Sequence, residues 1–212
     1  EDAVGTHTWI DYVAGQAPAV TLNGEALDVA DFDGARLRIG PLAAQNTLVV
    51  DGLGDYSNTG EGLHRFVDPA DGEVYLYSQF EVPDSRRMYP VFEQPDLKAS
   101  FTLTVTAPAH WQVIGNSPTP EPTPVRDGVA TWAFAPTERM SSYITALVAG
   151  PYDVVRDSLT SRDKEVPLGI FCRKSLTQYL DADNLFALTK AGFAFFEEEF
   201  DRAYPFTKYD QV

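Results

Sequence analysis

Cysteine is almost absent from this sequence of 212 residues, which contains only Cys172. A single cysteine cannot form an internal disulfide, so the disulfide-stabilised class of small secreted domains is excluded and a cytoplasmic location is expected. Cys172 ends the apolar segment VPLGIFC, residues 166–172. Such a position is typical of a small buried side chain in a strand and not of a reactive thiol.

Histidine is scarce as well, and His7, His64 and His110 stand far apart in the chain. The sequence has no H-E-x-x-H pattern, no pair of cysteines, no G-x-S-x-G motif and no glycine-rich phosphate loop. These absences exclude a complete zinc site, a serine-hydrolase nucleophile elbow and the usual nucleotide sites. We therefore expect neither catalytic nor metal-binding residues in this sequence, and any contribution to chemistry should be binding.

Positive charge is in short supply, because 16 Lys and Arg residues face 31 Asp and Glu residues, for a net charge of −15 at pH 7. This excess would repel the phosphates of nucleic acids and anionic lipid head groups, so neither is expected as a partner. The sequence also lacks a run of about 18 apolar residues and a charged-then-apolar leader. We expect a soluble protein without a membrane span.

Short strand patterns fill the sequence up to about residue 152. Asn23-Gly24 stands between two apolar runs and predicts a tight hairpin. Residues 73–81, EVYLYSQFE, alternate between two strand faces, and residues 99–108 alternate in the same way. The two faces predicted for the first of these strands are Val74, Leu76, Ser78 and Phe80 on one side, and Tyr75, Tyr77, Gln79 and Glu81 on the other.

The pattern changes after residue 152. One more strand pattern precedes residues 181–200, whose apolar residues recur near helical spacing and which begin with Asp181 or Asp183 as an N-cap. One helix and one strand cannot close a core of their own, so we expect this sequence to be part of a longer chain. The expected fold is mainly β, with a β domain over residues 1–152 and the opening of a helix-bearing domain over residues 153–212.

Gln79 and Glu81 are the candidate binding residues. At positions i and i+2 near the end of a strand, an amide and a carboxylate project in the same direction and can together bind a cation. An exposed strand face with ordinary polar residues has the same spacing, so spacing leaves both interpretations open.

The other polar residues of this stretch have structural explanations. Prolines fix its turns, and Arg86 and Arg87 can pair with Glu93, Asp84 or Asp96.

Residues 77–108, YSQFEVPDSRRMYPVFEQPDLKASFTLTVTAP, resemble the block T-Q-F-E-x-x-x-A-R-x-x-x-P-C-F-D-E-P-D-x-K-A-x-F of the M1 family, the zinc aminopeptidases of the aminopeptidase N type. Further matches follow in chain order and extend over nearly the whole sequence. They are NTGEGLHRF at 58–66, GNSP at 115–118, MSSYITALVAGPYDVV at 140–155 and FFEEEFDRAYPFTKYDQV at 195–212.

The resemblance implies a domain order. Residues 1–152 correspond to the saddle-like antiparallel N-terminal β domain of the family, without its first strands. Residues 153–212 correspond to the opening of the thermolysin-like α+β catalytic domain, before its G-A-M-E-N and H-E-x-x-H segments. The full-length protein would then be a zinc-dependent aminopeptidase acting on peptides with a free N-terminus, with its Zn²⁺ ligands outside this sequence. Residues 1–212 would be inactive by themselves.

The resemblance also implies roles for the two candidate residues. Glu81 matches the glutamate that binds the free α-amino group of the substrate, and Gln79 matches the glutamine that lines the same pocket. Val91 stands where many members have cysteine, and FEQPD replaces FDEPD. These departures concern core packing and the turn, and leave Glu81 in place.

Two other functions fit the same residues. A catalytically inactive M1-like scaffold protein would carry the same N-terminal pattern. A stand-alone β-sandwich that binds carbohydrate or protein would share the β pattern and the tyrosines, although it should end after its last strand and not run on into a helix.

Overall fold

The computed structural model describes residues 4–212, and within them the predicted mainly β class is confirmed. The described residues form two compact units, each assembled from three segments of the chain. The first unit contains residues 4–65, 76–101 and 137–147, and the second contains 66–75, 102–136 and 148–212. These units do not coincide with the predicted boundary between residues 152 and 153, which stays a prediction.

The first unit contains two small antiparallel sheets, β1-β4 and β3-β2-β5. Their strands are β1 (Thr8–Asp11), β2 (Ala19–Leu22), β3 (Glu25–Ala26), β4 (Arg36–Ile39) and β5 (Leu48–Asp51). The hairpin predicted at Asn23-Gly24 is confirmed, because it joins β2 to β3 with both residues at positive φ, 55° and 89°.

The second unit contains the antiparallel sheet β10-β11-β8 and the mixed sheet β13-β14-β15, in which β15 runs parallel to β14. Its elements are β8 (Thr104–Pro108), β9 (Gln112–Gly115), β10 (Thr123–Arg126), β11 (Val129–Ala133), β13 (Asp153–Ser161), β14 (Lys164–Cys172), α1 (Ala182–Phe200) and β15 (Tyr209–Gln211).

The chain passes between the units within three strands, β6 (Gly62–Val67), β7 (Val74–Gln79) and β12 (Leu147–Gly150). These strands form a sheet with β9 in the order β6-β7-β12-β9. β7 is the strand that leads to the candidate binding residues.

Each unit has its own buried apolar residues, as the alternating strand patterns predict. In the first unit they come from β1, β2 and β4, and in the second from β14 and α1 and from a cluster around Tyr75. The first core contains Ile10, Tyr12, Ala14, Val20, Leu37 and Ile39, and the second contains Val166, Leu168, Ile170 and Phe186, with a separate cluster of Tyr75, Ile114, Val148, Tyr152 and Phe171.

The predicted position of Tyr75 is wrong. The alternation assigned it to the outer face with Tyr77, but Tyr75 is only 1% exposed and packs edge-on against Tyr152 with ring centroids 5.0 Å apart. Its hydroxyl donates to Asp71 at 2.8 Å, and burial followed by this bond raises the pKa of Tyr75 to about 12. Tyr75 is covered by Tyr152 and other buried residues from distant parts of the chain. The alternation of residues within β7 contains no information about these contacts.

The strand predicted over residues 99–108 is shorter in the structure than its sequence pattern suggested. β8 begins at Thr104, although the alternation of burial starts at Phe101. Before β8, the backbone of Phe101 pairs with Thr137 through both its N–H and its carbonyl group. The N–H donates to the Thr137 hydroxyl, so a side-chain hydrogen bond replaces part of a regular ladder at the start of this segment.

The predicted helix is confirmed as α1, with Asp181 as its N-cap accepting a hydrogen bond from the Asn184 N–H at 3.3 Å. Phe186 is the buried residue of this helix, whereas Leu188, Phe196 and Phe200 are exposed. Among residues 4–212, no helix has both the length and the apolar character needed to cross a bilayer.

Cys172 is half-buried at the end of β14, and burial raises the pKa of its thiol. The thiol is therefore protonated at neutral pH, in agreement with the prediction that it is not a nucleophile.

Candidate functional site

The two candidate binding residues lie at the end of β7 in the first unit. Gln79 is the last residue of the strand, and Glu81 is two positions further on, in the turn that follows. Both side chains are exposed, while Phe80 between them is only 2% exposed. The predicted alternation therefore continues past the end of the strand and directs Gln79 and Glu81 away from the core.

Gln79 and Glu81 are joined by a hydrogen bond that spacing did not predict. The Glu81 backbone N–H donates to Gln79 Oε1 at 2.5 Å. This bond fixes the backbone of Glu81 and leaves its carboxylate free. Among residues 4–212, no hydrogen bond or ion pair occupies that carboxylate. The Gln79 oxygen retains a second lone pair, and its amide nitrogen retains two donors.

Ser78 and Tyr77 hold the end of β7 against its two neighbouring strands. Ser78 points inward, and its hydroxyl accepts a hydrogen bond from the Leu147 N–H at 2.8 Å. Tyr77 points outward and stacks on His64 of β6, with ring centroids 4.7 Å apart. His64 Nδ1 in turn accepts from the Gly60 N–H at 3.0 Å. His64 therefore has a structural position beside the strand, as expected for an isolated histidine.

The turn that carries Glu81, residues 80–84, is closed by a backbone hydrogen bond from the Asp84 N–H to the Phe80 carbonyl at 3.0 Å. We call these residues the Glu81 turn. Asp84 also accepts from Arg87 Nε at 2.5 Å, and this bond raises the pKa of Arg87. The pairing of Arg87 with Asp84 confirms one of the ion pairs predicted for this stretch.

Glu93, one of three acidic residues offered as partners for Arg86 and Arg87, binds other groups. It accepts from the Ser85 hydroxyl at 2.5 Å and from the backbone N–H of Arg86 at 2.8 Å. It also accepts from the Ser142 hydroxyl at 3.2 Å. The sequence did not point to a contact of Glu93 with Ser142, because the two residues belong to separate matching segments that lie 49 positions apart.

The chemistry available at this site is recognition of a cation. A free carboxylate and a nearby amide oxygen are acceptors that suit an ammonium group. Among residues 4–212, no group of three or more His, Cys, Asp or Glu side chains could hold a metal ion.

Comparison with known proteins assigns the chain to a family. Residues 40–144 match the peptidase M1 N-terminal domain. Over 210 residues the chain is 55% identical to aminopeptidase N of Streptomyces lividans, a match that covers 98% of this chain and 24% of that protein. The chain belongs to the M1 aminopeptidase family.

More distant relatives agree with this assignment. The M1 chain is 31% identical over 145 residues to aminopeptidase Ey of Gallus gallus, which covers 66% of this chain and 14% of that protein. Its fold matches the crystal structure of Legionella pneumophila aminopeptidase A in complex with aspartic acid, with a TM-score of 0.83 at 17% identity, over 96% of this chain and 24% of that one. The predicted family and its N-terminal β domain are thus confirmed, and the chain spans about a quarter of the length of the Streptomyces relative.

Proposed function

We propose that this chain is the amine-binding part of a zinc-dependent M1 aminopeptidase, which removes N-terminal amino acids from peptides. One observation carries the proposal: Glu81 lies in an exposed turn whose backbone is held by Gln79, and within residues 4–212 its carboxylate has no hydrogen bond or ion pair. The reaction class is supported by the 55% identity to an aminopeptidase N.

Glu81 would bind the free α-ammonium group of the substrate. A hydrogen bond between an ammonium and a carboxylate contributes roughly 1.5–3 kcal/mol, more than a bond between neutral groups. Only the terminal residue of a peptide has an α-ammonium group, since the α-nitrogen of every internal residue is part of a neutral amide. A carboxylate fixed in position therefore selects chain ends and aligns the first peptide bond, while the Gln79 amide lines the same pocket.

The zinc dependence that we propose is based on membership of the M1 family and not on residues 4–212. Residues 4–212 contain no group of three or more His, Cys, Asp or Glu side chains that could hold a metal ion. In our proposal the Zn²⁺ of the whole enzyme is bound by other residues, and residues 4–212 bind the substrate.

The test is Glu81→Ala in the full-length enzyme. We expect kcat/KM for an aminoacyl anilide to fall at least tenfold, because the substrate amine loses its acceptor and its alignment. Glu25→Ala is the matched control, since Glu25 is an exposed glutamate of β3 in the same unit and should leave kcat/KM unchanged. Wild-type kinetics in Glu81→Ala would overturn the proposal.

A second test concerns the 212-residue chain by itself. We propose that it is inactive, and we expect no release of aniline from an aminoacyl anilide with or without added Zn²⁺. Turnover that depends on zinc and exceeds the blank would contradict this part of the proposal.

We also propose a cytoplasmic location, based on the single cysteine, which rules out an internal disulfide. Fractionation of the native cells, with immunodetection of the protein, is the direct test. Recovery of the protein in the culture medium or in a membrane fraction would refute this proposal.

A further inference from the structure

Glu93 lies behind the Glu81 turn and connects two distant segments of the first unit. Its carboxylate accepts hydrogen bonds from Ser85 and Arg86, which directly follow the turn, and from Ser142, in a separate 3₁₀ turn at Ser142–Ile144. Ser85 is fully buried at 0% exposure and Ser142 is 2% exposed. These hydroxyls are shielded from water, which makes the Glu93 oxygens their principal hydrogen-bond acceptors.

A second contact between the same segments fixes the other end of the turn. The Phe80 ring packs edge-on against Tyr89, with centroids 6.0 Å apart, and the Tyr89 hydroxyl donates to the Ser142 carbonyl at 3.2 Å. The Tyr89 N–H donates to the Ser85 carbonyl at 3.1 Å. Both ends of the Glu81 turn, Phe80 and the Asp84–Ser85 junction, are therefore connected to Ser142.

We propose that Glu93 is a positioning residue for Glu81. By linking Ser85 and Arg86 to Ser142, it sets the position of the Glu81 turn and hence the location of the Glu81 carboxylate. Glu93 has no direct contact with a substrate in this proposal, and the inference rests on the proposed function of Glu81 as the amine acceptor.

The physical basis is the sensitivity of binding geometry to small shifts. Without the Glu93 carboxylate, two buried hydroxyls and one backbone N–H lose their acceptor, and the chain after Asp84 must rearrange to satisfy them. A shift of about 0.5–1 Å in a supporting segment is enough to weaken an aligned contact. The Gln79 bond would still hold the Glu81 backbone at one end, so we expect partial and not complete loss of amine binding.

The experiment uses the full-length enzyme with the single variants Glu93→Ala, Glu93→Gln and Glu81→Gln, and the double variant Glu81→Gln with Glu93→Ala. Each is assayed for KM and kcat on an aminoacyl anilide, for the inhibition constant of leucinol, an amino alcohol without a scissile bond, and for thermal stability. Glu25→Gln is the control, because it makes the same chemical change at an exposed site of the same unit.

We expect Glu93→Ala to raise KM and the leucinol inhibition constant about fivefold, with kcat within twofold of wild type. Glu93→Gln retains one oxygen acceptor and should raise both constants about twofold. In the double variant, Glu93→Ala should add nothing to the effect of Glu81→Gln, because a positioning residue acts only through the group it positions.

A purely structural role predicts a different pattern. If Glu93→Ala lowers thermal stability while KM and the leucinol inhibition constant stay at wild-type values, or if its effect adds fully to that of Glu81→Gln, the inference is overturned. If Glu81→Gln leaves KM, kcat and the leucinol inhibition constant at wild-type values, the proposed function of Glu81 is rejected, independently of the result for Glu93. Should Glu93→Ala not fold, Glu93→Gln and Ser142→Ala decide the same question, and unchanged constants in both would reject the inference.

Discussion

Asp68 in the second unit and Glu93 in the first are both carboxylates that join distant segments, but they do so with different partners. Asp68 is 3% exposed and accepts from Arg173 Nη1 at 2.9 Å and from the Ser175 hydroxyl at 2.6 Å. Glu93 accepts from two hydroxyls and a backbone N–H, all neutral donors.

The two sets of partners suggest different roles for the two carboxylates, one in stability and one in positioning a turn. An arginine opposite Asp68 compensates the cost of removing a charge from water, so the pair can support the fold of the second unit. Arg173 also lies over the Phe66 ring at 4.7 Å, which adds packing to the charge contact. Glu93 accepts from neutral donors instead, and these bonds connect the residues that follow the Glu81 turn to Ser142.

The largest effect should come from removing the carboxylate of the ion pair. We expect Asp68→Ala to lower the melting temperature by roughly 5 °C or more, because Arg173 and Ser175 lose their acceptor in a buried site. Thermal unfolding followed by circular dichroism measures this. Glu73→Ala, a change at a partly exposed residue of the same hairpin, is the control. A melting temperature within about 1 °C of wild type for Asp68→Ala would show that the ion pair does not support the fold.

The pH dependence of stability should sharpen the contrast. The Ser175 hydrogen bond, then the Ala70 N–H, and to a lesser extent the Arg173 charge, lower the pKa of Asp68 from its ordinary value of 3.8. Its contribution to stability is therefore complete above that value and is lost as the pH falls below it. We expect the difference in melting temperature between wild type and Asp68→Asn to shrink between pH 6 and pH 3. A difference that stays constant or grows with acidification would show that the pKa is not lowered.

Glu93→Gln should cost less than the loss of Asp68. The amide keeps one oxygen for Ser85 or Ser142, so we expect the free energy of unfolding to fall by about 1 kcal/mol. Urea denaturation gives this value directly, and an unchanged m-value would indicate that compactness is preserved. A loss greater than that of Asp68→Ala would mean that neutral donors stabilise the fold more than the arginine does.

The smallest effect should come from a carboxylate with one exposed contact. Asp181 caps α1 through a single bond of 3.3 Å to the Asn184 N–H. We expect Asp181→Ala to lower the free energy of unfolding by about 0.5–1 kcal/mol, and Asp181→Asn to restore most of the loss. Urea denaturation of both variants tests this, and equal losses would indicate that charge and not capping is responsible.

Local sequence patterns predicted much of the fold and the exposure of Gln79 and Glu81 at the candidate site. Asn23-Gly24 encodes its own turn, and the period of two in β7 correctly directed Gln79 and Glu81 outward, because both depend only on neighbouring residues. The helix cap at Asp181 was predicted for the same reason. These features need no knowledge of what packs against them.

Features that depend on a partner far away in the chain were missed. Tyr75 follows the outward pattern of β7 and is nevertheless buried, because Tyr152 covers it. Glu93 was one of three acidic residues named as possible arginine partners, and its hydrogen bond from Ser142, 49 positions away, was not foreseen. No local pattern marks either contact, so both became visible only in three dimensions.

The 2.5 Å hydrogen bond between Gln79 and the Glu81 backbone has a thermodynamic consequence. A loop that becomes ordered only when a ligand arrives spends part of the binding free energy on lost conformational entropy. In this chain much of that ordering is completed during folding, before any cation is present. A cation that binds Glu81 would therefore meet an acceptor whose backbone is already ordered, and less of the binding free energy would be lost to ordering.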